Sequence, residues 1–393
     1  MPLTAQTVSG VDPFAEELRV LHVLQPTQAG VWGYARQMAD YQSRHGWDVH
    51  LASPRPVARP TTWHEWRAVR SPLRGLLSES TRLGDIVRDV QPDAVVAHSA
   101  KAGLIARAVV RNHLPIVYIP HAWSFLAVSG AEALAARTWE RVASRWTNAT
   151  VCVSDSEVRA GQQASIHSPY FLLPNPVLPR WTHGDRQRTS VPSDSVDVVF
   201  VGRLAHQKGP DVLISAWETV RQEFPAAQLV IVGEGPDAAA LRDAAGEGVS
   251  FLGAVDDPRP IVESARIYVQ PSRWEGLSLS QLEAMWSGLS IVTTRVAGSE
   301  LIWASGGGAI TEIDDSQALA AAIVERLRDA DLTRDEGRRN AQYARLHHDF
   351  ETTARRLAAI TARAYAFGRP TSQPQIRRGH AAARGVDHSV HAS

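Results

Sequence analysis

The stretch Val196-Asp197-Val198-Val199-Phe200-Val201-Gly202-Arg203-Leu204-Ala205-His206-Gln207-Lys208-Gly209-Pro210 decides the fold, together with the helical pattern from Asp211 to Phe224 behind it. A short, valine-rich apolar run bounded by glycine reads as a strand buried on both faces. Proline just before an amphipathic run marks a helix start, so the segment is a strand, a turn and a returning helix. Downstream the pattern recurs as Gln228 to Val232, Ser250 to Leu252, Ile267 to Gln270, a helix from Ser278 to Trp286, and Ser290 to Thr293. Upstream it gives Leu18 to Leu24, a helix from Gly33 to His45, Asp48 to Ala52, Asp93 to His98 and a helix from Ala100 to Asn112. Ile116 to Ile119, a helix near Ala131 to Trp146, Thr150 to Val153 and Phe171 to Leu173 complete that half. Alternation of this kind builds parallel sheets with helices on both faces.

A chain of 393 residues exceeds what one hydrophobic core serves, so two domains are expected. Pro174 to Asp194 is rich in Pro, Ser, Thr and charge without periodicity and reads as the linker. The division is therefore an extension over 1–17, a first domain over 18–184 and a second over 185–350. A helix over 351–368 crosses back to the first domain, and a polar tail, 369–393, is expected to be disordered. The fold class is α/β: two doubly wound, Rossmann-like domains facing across a cleft.

Composition narrows the function. Apolar residues make up 44% and charged residues 21%, ordinary values for a globular enzyme. No apolar run approaches the roughly 18 residues of a membrane span, and the N-terminus lacks the basic start and apolar core of a signal peptide. A cytoplasmic location is expected, with peripheral contact at the inner face of the membrane. The single Cys152 excludes an internal disulfide and a cysteine metal cluster, and no Asp-x-Asp pair stands at a strand end, so no metal and no cofactor is expected. Net charge is zero, but basic residues outnumber acidic ones before residue 180 and the reverse holds from 181 to 368. A basic first half suits an anionic partner, although solvated faces of unequal charge explain the count as well. Nothing in this pattern asks for nucleic acid.

Ligands in doubly wound sheets bind beyond the carboxyl ends of strands. In the second half Gly202, Arg203 and Lys208 stand there, and fixed cations aimed at a departing diphosphate stabilise its developing charge without a metal. Gly233-Glu234-Gly235-Pro236 ends the next strand in a turn where backbone can approach a ligand. In Trp274-Glu275-Gly276-Leu277-Ser278-Leu279-Ser280-Gln281-Leu282-Glu283, two carboxylates flank a glycine loop and a helix start. The N–H groups of Leu277 and Ser278 form an anion site, Glu275 lies on the sugar side of a phosphate held there, and Glu283 can accept from ribose hydroxyls.

With these motifs the chain resembles the GT-B glycosyltransferases, in particular family 4, over roughly residues 18 to 366. The resemblance implies a retaining hexosyl transfer from a nucleoside-diphosphate sugar, UDP before GDP, to a glycan, lipid-linked or small-molecule acceptor, as in polysaccharide biosynthesis. It implies front-face displacement, since no paired carboxylates of a glycosidase kind are in view. Arg203 and Lys208 then bind the diphosphate, Glu275 the transferred sugar and Glu283 the ribose. Where the family has a glycine pair and an Ile-Pro-Glu-like run, this chain has Val296-Ala297-Gly298-Ser299-Glu300, shorter by one residue.

In the first half, Gln25 to Gly33 resembles the family's glycine-rich loop, with Gly30 where the backbone nears the donor. His121, past the strand Ile116 to Pro120, resembles the family's sugar-contacting histidine and is assigned orientation rather than base catalysis. Lys101, one of only two lysines, and Trp123 are candidates for the acceptor. Trp63, Trp66, Arg67, Arg70 and Arg74, with Arg137, Trp139, Arg141, Arg145 and Trp146, mix aromatic and basic character as interfacial segments do, and as cores with solvated faces also do. Two other readings stay open: a non-catalytic GT-B scaffold or regulatory subunit, and a nucleotide-dependent oxidoreductase, for which Gln25 to Gly33 lacks the Gly-x-Gly-x-x-Gly pattern.

Overall fold

The computed structural model describes residues 12–25, 30–54, 62–69, 75–182 and 196–368. The expectations for residues 1–11, the loop 26–29, Arg70, Arg74, the domain boundary near 185 and the tail 369–393 lie outside them.

Seven parallel strands form the first sheet: β1 (Arg19–Leu24), β2 (Asp48–Ser53), β3 (Trp63–Glu65), β4 (Ala94–His98), β5 (Ile116–Ile119), β6 (Ala149–Cys152) and β7 (Tyr170–Leu172), in the order β3-β2-β1-β4-β5-β6-β7. Six form the second: β8 (Val196–Val201), β9 (Leu229–Val232), β10 (Val249–Gly253), β11 (Ala265–Gln270), β12 (Ser290–Thr294) and β13 (Gly308–Thr311), in the order β10-β9-β8-β11-β12-β13. In both sheets the order reverses beside the first strand, between β1 and β4 and between β8 and β11. Chain leaving those strand ends diverges to opposite faces and opens a crevice.

The central strands are mostly apolar because helices cover both faces. Leu21, Val23 and Val95 pack with Leu83, Ile86 and Ile105 on one face of the first sheet, and Val198, Phe200 and Ile267 with Leu213, Trp217 and Ile323 on one face of the second. A third apolar cluster joins the domains: Val177, Leu178 and Trp181 are buried with Leu277 and Leu282 of the second domain and with Leu357 and Ile360. The first residues of the expected linker from Pro174 are packed, and its remainder from residue 183 lies outside the described residues. Val177 N–H donates to the His348 carbonyl at 2.9 Å, and Trp181 Nε1 donates to Ser287 Oγ at 3.0 Å. The last helix, Phe350–Gly368, lies on the first domain, where Phe350 meets Tyr41 edge to face with ring centres 6.0 Å apart and Arg356 donates to the Leu172 carbonyl.

Candidate active site

Local sequence and backbone geometry build the second domain's wall of the crevice. After β8 the chain makes a short 3₁₀ turn, His206–Lys208, before the helix Pro210–Glu223; after β11 it runs through Ser272 to Ser278 into the helix Leu279–Trp286. The two loops are tied together. Gln207 Nε2 donates to the Trp274 carbonyl at 3.2 Å, the Arg273 backbone N–H donates to the Gln207 carbonyl at 2.8 Å, and Arg273 grips Asp211 through its two terminal guanidinium nitrogens. This brace places Lys208 Nζ 2.5 Å from Glu275 Oε1, an oxygen that also accepts from Ser272 Oγ at 2.8 Å. Arg203 is half-buried at the end of β8, and Glu283 is buried. Ser278 caps the helix by accepting from Gln281 N–H, while its hydroxyl lies 3.0 Å from Ser280 Oγ, which accepts from Tyr268. Glu300 accepts from Gly298 N–H at 2.8 Å and so closes the shortened loop after β12.

The first domain's wall holds a row of imidazoles. His22 lies inside β1, His98 ends β4 and His121 stands two residues beyond β5. The register sets Leu24 opposite His98 and His98 opposite Ile119, so each histidine is two residues further toward the crevice than its neighbour, on one face of the sheet. His22 Nδ1 lies 3.0 Å from His98 Nε2, His98 Nδ1 lies 3.3 Å from His121 Nε2, and His22 Nε2 lies 2.8 Å from Gln42 Oε1. Burial pushes the pKa values of His22 and His121 down to about 4; burial, then its two neighbours, holds His98 well below the usual range. All three rings are neutral at ordinary pH. Tyr34 sets its ring edge-on to His98 and His121, at 6.0 and 5.1 Å between centres.

His121 and Ala122 both have positive φ, 56° and 126°, a backbone that non-glycine residues rarely adopt and that costs on the order of 1–3 kcal/mol each. Glu157 holds this bend: its carboxylate accepts from Ala122 N–H and Val153 N–H, both at 2.8 Å, and burial raises its pKa to about 7. The walls meet there. A side chain at Gly276 would place its Cβ 3.0 Å from the His121 carbonyl, and one at Gly30 would meet Leu279 at 3.0 Å. Asn175 Nδ2 adds a bond to the Leu277 carbonyl at 2.7 Å.

The structure thus brings Gly30, His121, Gly202, Arg203, Lys208, Glu275, Gly276, Leu277, Ser278 and Glu283 to the two facing strand-end regions. Lys101 and Trp123 are corrections. Lys101 is buried and its ammonium is 2.8 Å from the equally buried Glu79. Trp123 is buried, stacks on Phe125 and donates to the Glu157 carbonyl at 2.7 Å. Neither side chain is left to hold an acceptor. Gly233 is explained by packing: a Cβ there would fall 1.9 Å from the Gly202 carbonyl, while the Glu234 carboxylate pairs with Arg242. Trp66 is core, donating to the Glu79 carbonyl. Sequence reasoning passed over His22, Gln42, Glu157 and Asn175. A histidine inside an otherwise apolar parallel strand was the available signal for His22.

Comparison with known proteins agrees with this architecture. Residues 29–180 match the family described as Glycosyltransferase Family 4, and residues 195–329 match Glycosyl transferases group 1. The chain is 30% identical over 203 residues to the D-inositol 3-phosphate glycosyltransferase of Corynebacterium urealyticum, a match covering 47% of each chain, so about half of that relative. Among solved structures, sucrose-phosphate synthase from Thermosynechococcus elongatus superposes with a TM-score of 0.75 at 17% identity, over 89% of this chain and 100% of that one. HepE of Anabaena in complex with UDP-glucose superposes with a TM-score of 0.71 at 19% identity, over 87% and 98%. Two doubly wound domains meeting at their strand ends, with a family match on each, make this chain a member of the GT-B glycosyltransferases, in family 4.

Proposed function

We propose that the protein is a retaining glycosyltransferase that takes a sugar from a nucleoside diphosphate, UDP in preference to GDP, and passes it to a glycan, lipid-linked or small-molecule acceptor. The observation that carries this reading is the Lys208–Glu275 pair, set at the second domain's strand ends next to Gly276, which meets the His121 backbone. A bound diphosphate would draw Lys208 from Glu275, with Arg203 as the second cation and the first turn of the helix Leu279–Trp286 beside it. Freed of its partner, the Glu275 carboxylate is available to sugar hydroxyls. Glu283 is assigned to the ribose, and Gly202, Gly276, Leu277 and Ser278 to the backbone surface under the phosphates.

In this mechanism the acceptor hydroxyl attacks from the face the diphosphate leaves. The leaving oxygen takes the acceptor proton, and the fixed cations stabilise the charge that develops on it. Being neutral, His121 serves in orientation rather than as a charge. No metal is assigned a step. The UDP and UDP-glucose complexes of the HepE fold neighbour support the choice of donor class.

For the acceptor, the reading includes contact with an anionic lipid surface. The helix Gly130–Ala143 carries exposed Leu134, with exposed Leu126 and Val128 before it; exposed Arg137 and Arg141 follow on the helix and exposed Arg145 in the 3₁₀ turn Ser144–Trp146 just after it. Among the described residues no helix is long and apolar enough to cross a membrane.

The deciding experiment is a donor-hydrolysis screen of the purified chain across UDP- and GDP-sugars. Turnover of one of them is expected, and none with any nucleotide sugar would favour the non-catalytic scaffold. Sedimentation with anionic against neutral liposomes tests the membrane contact, with preference for the anionic vesicles expected.

A further inference from the structure

We propose that His22, His98 and Gln42 are positioning residues that hold His121 in the tautomer with its proton on Nε2, so that the Nδ1 lone pair is offered to a hydroxyl of the donor sugar. This rests on the reading of the crevice as a sugar-nucleotide site. A neutral imidazole has one N–H and one lone pair. Gln42 Oε1 can only accept, so His22 donates to it from Nε2 and must accept at Nδ1. His98 therefore donates to His22 from Nε2 and accepts at Nδ1 from His121 Nε2. That bond places the His121 proton on Nε2 and leaves its Nδ1 as an acceptor, to which no described residue bonds.

Protonating His22 or His98 would set two N–H groups against each other, which agrees with their depressed pKa values; for His121 burial alone disfavours the second proton. Turning the Gln42 amide over would reverse every bond and put the proton on Nδ1. The Tyr34 ring, edge-on to His98 and His121, holds the planes of the row. The consequence is selective: a sugar hydroxyl can donate to His121, whereas a deoxy position or an ether oxygen cannot.

The test combines nitrogen NMR of histidine-labelled full-length protein with kinetics. The expected spectrum shows His121 with Nδ1 unprotonated. His98→Leu breaks the row, so the His121 tautomers should mix and the KM for UDP-glucose hydrolysis should rise on the order of tenfold, the size of one neutral hydrogen bond. Affinity for UDP, which lacks the transferred sugar, should stay unchanged. His98→Gln, whose amide can donate to His22 and accept from His121, should recover most of the loss. A proton on Nδ1 of His121 in the wild type would overturn the proposal. So would an unaltered tautomer and KM in His98→Leu, or UDP affinity falling in step with KM. If His98→Leu does not fold, His22→Leu at the deeper end gives the same readouts. Should the wild type turn over no nucleotide sugar, the functional reading fails, while the NMR result still decides the relay.

Discussion

The two strand-end regions share a topology and differ in electrostatics. Beside β8 and β11 the groups are charged: Lys208 pairs with Glu275, Arg203 is half-buried and Glu283 is buried. Beside β1 and β4 the groups are neutral rings in a hydrogen-bonded row. Burial acts on both and gives opposite results. A carboxylate and an ammonium taken out of water keep their charges by facing each other. An imidazole without a carboxylate partner gives up its proton instead. One fold therefore supplies a charged wall suited to a phosphate and an uncharged wall suited to hydroxyls.

The hardest test of this contrast removes the cation from the charged wall. Lys208→Ala should lower turnover about a hundredfold or more, roughly 3 kcal/mol of transition-state stabilisation. Steady-state kinetics on the donor found in the screen would measure it, and a turnover within a factor of two of wild type would move the diphosphate elsewhere.

Glu283→Ala should fail differently from Lys208→Ala. Its proposed bonds to ribose exist before and during reaction, so nucleotide affinity should weaken by about 1.5–3 kcal/mol while turnover at saturating donor changes little. Calorimetry with UDP separates the two, and equal losses in binding and turnover would merge the two roles.

The neutral wall has a pH signature. His22 and His121 have folded pKa values near 4, below the ordinary 6.5, so the unfolded chain binds more protons between those values and stability falls as pH drops from about 6.5 toward 4. His98 acts in the same direction. Glu157, raised to about 7, acts oppositely, its stability contribution falling as pH rises through the interval from about 4.5 to 7, and one glutamate offsets only part of three histidines. For His22 alone the expected loss between pH 7 and pH 5 is about 1–2 kcal/mol. Urea unfolding at the two pH values, compared with His22→Leu, isolates this term, and equal pH dependence in both proteins would show that His22 titrates normally.

The smallest expected effect is that of a chelator. Because Arg203 and Lys208 are assigned the charge that a metal would carry, turnover should be unchanged by EDTA; complete loss restored by magnesium or manganese would show that the charged wall is incomplete without a divalent ion.

How legible the molecule was depends on how far apart its interacting residues lie in the chain. Strands such as Val196–Val201, the helix after Pro210 and the glycine turns are local patterns, set by side-chain period and backbone sterics, so sequence alone determined two parallel α/β domains and the positions of Arg203, Lys208, Glu275 and Glu283 after strands or in the following helix. Lys101 was misread because its partner Glu79 lies in a helix, Leu76–Val90, whose packing no local pattern announces. Pairing Lys208 with Glu275, 67 residues away, required β8 and β11 to be neighbours. Joining His22 to His98, 76 residues away, required β1 beside β4 in one register. Strand order and register are settled by which apolar faces bury one another, and in this chain they decided which histidines share a proton row and which lysine stands at the crevice.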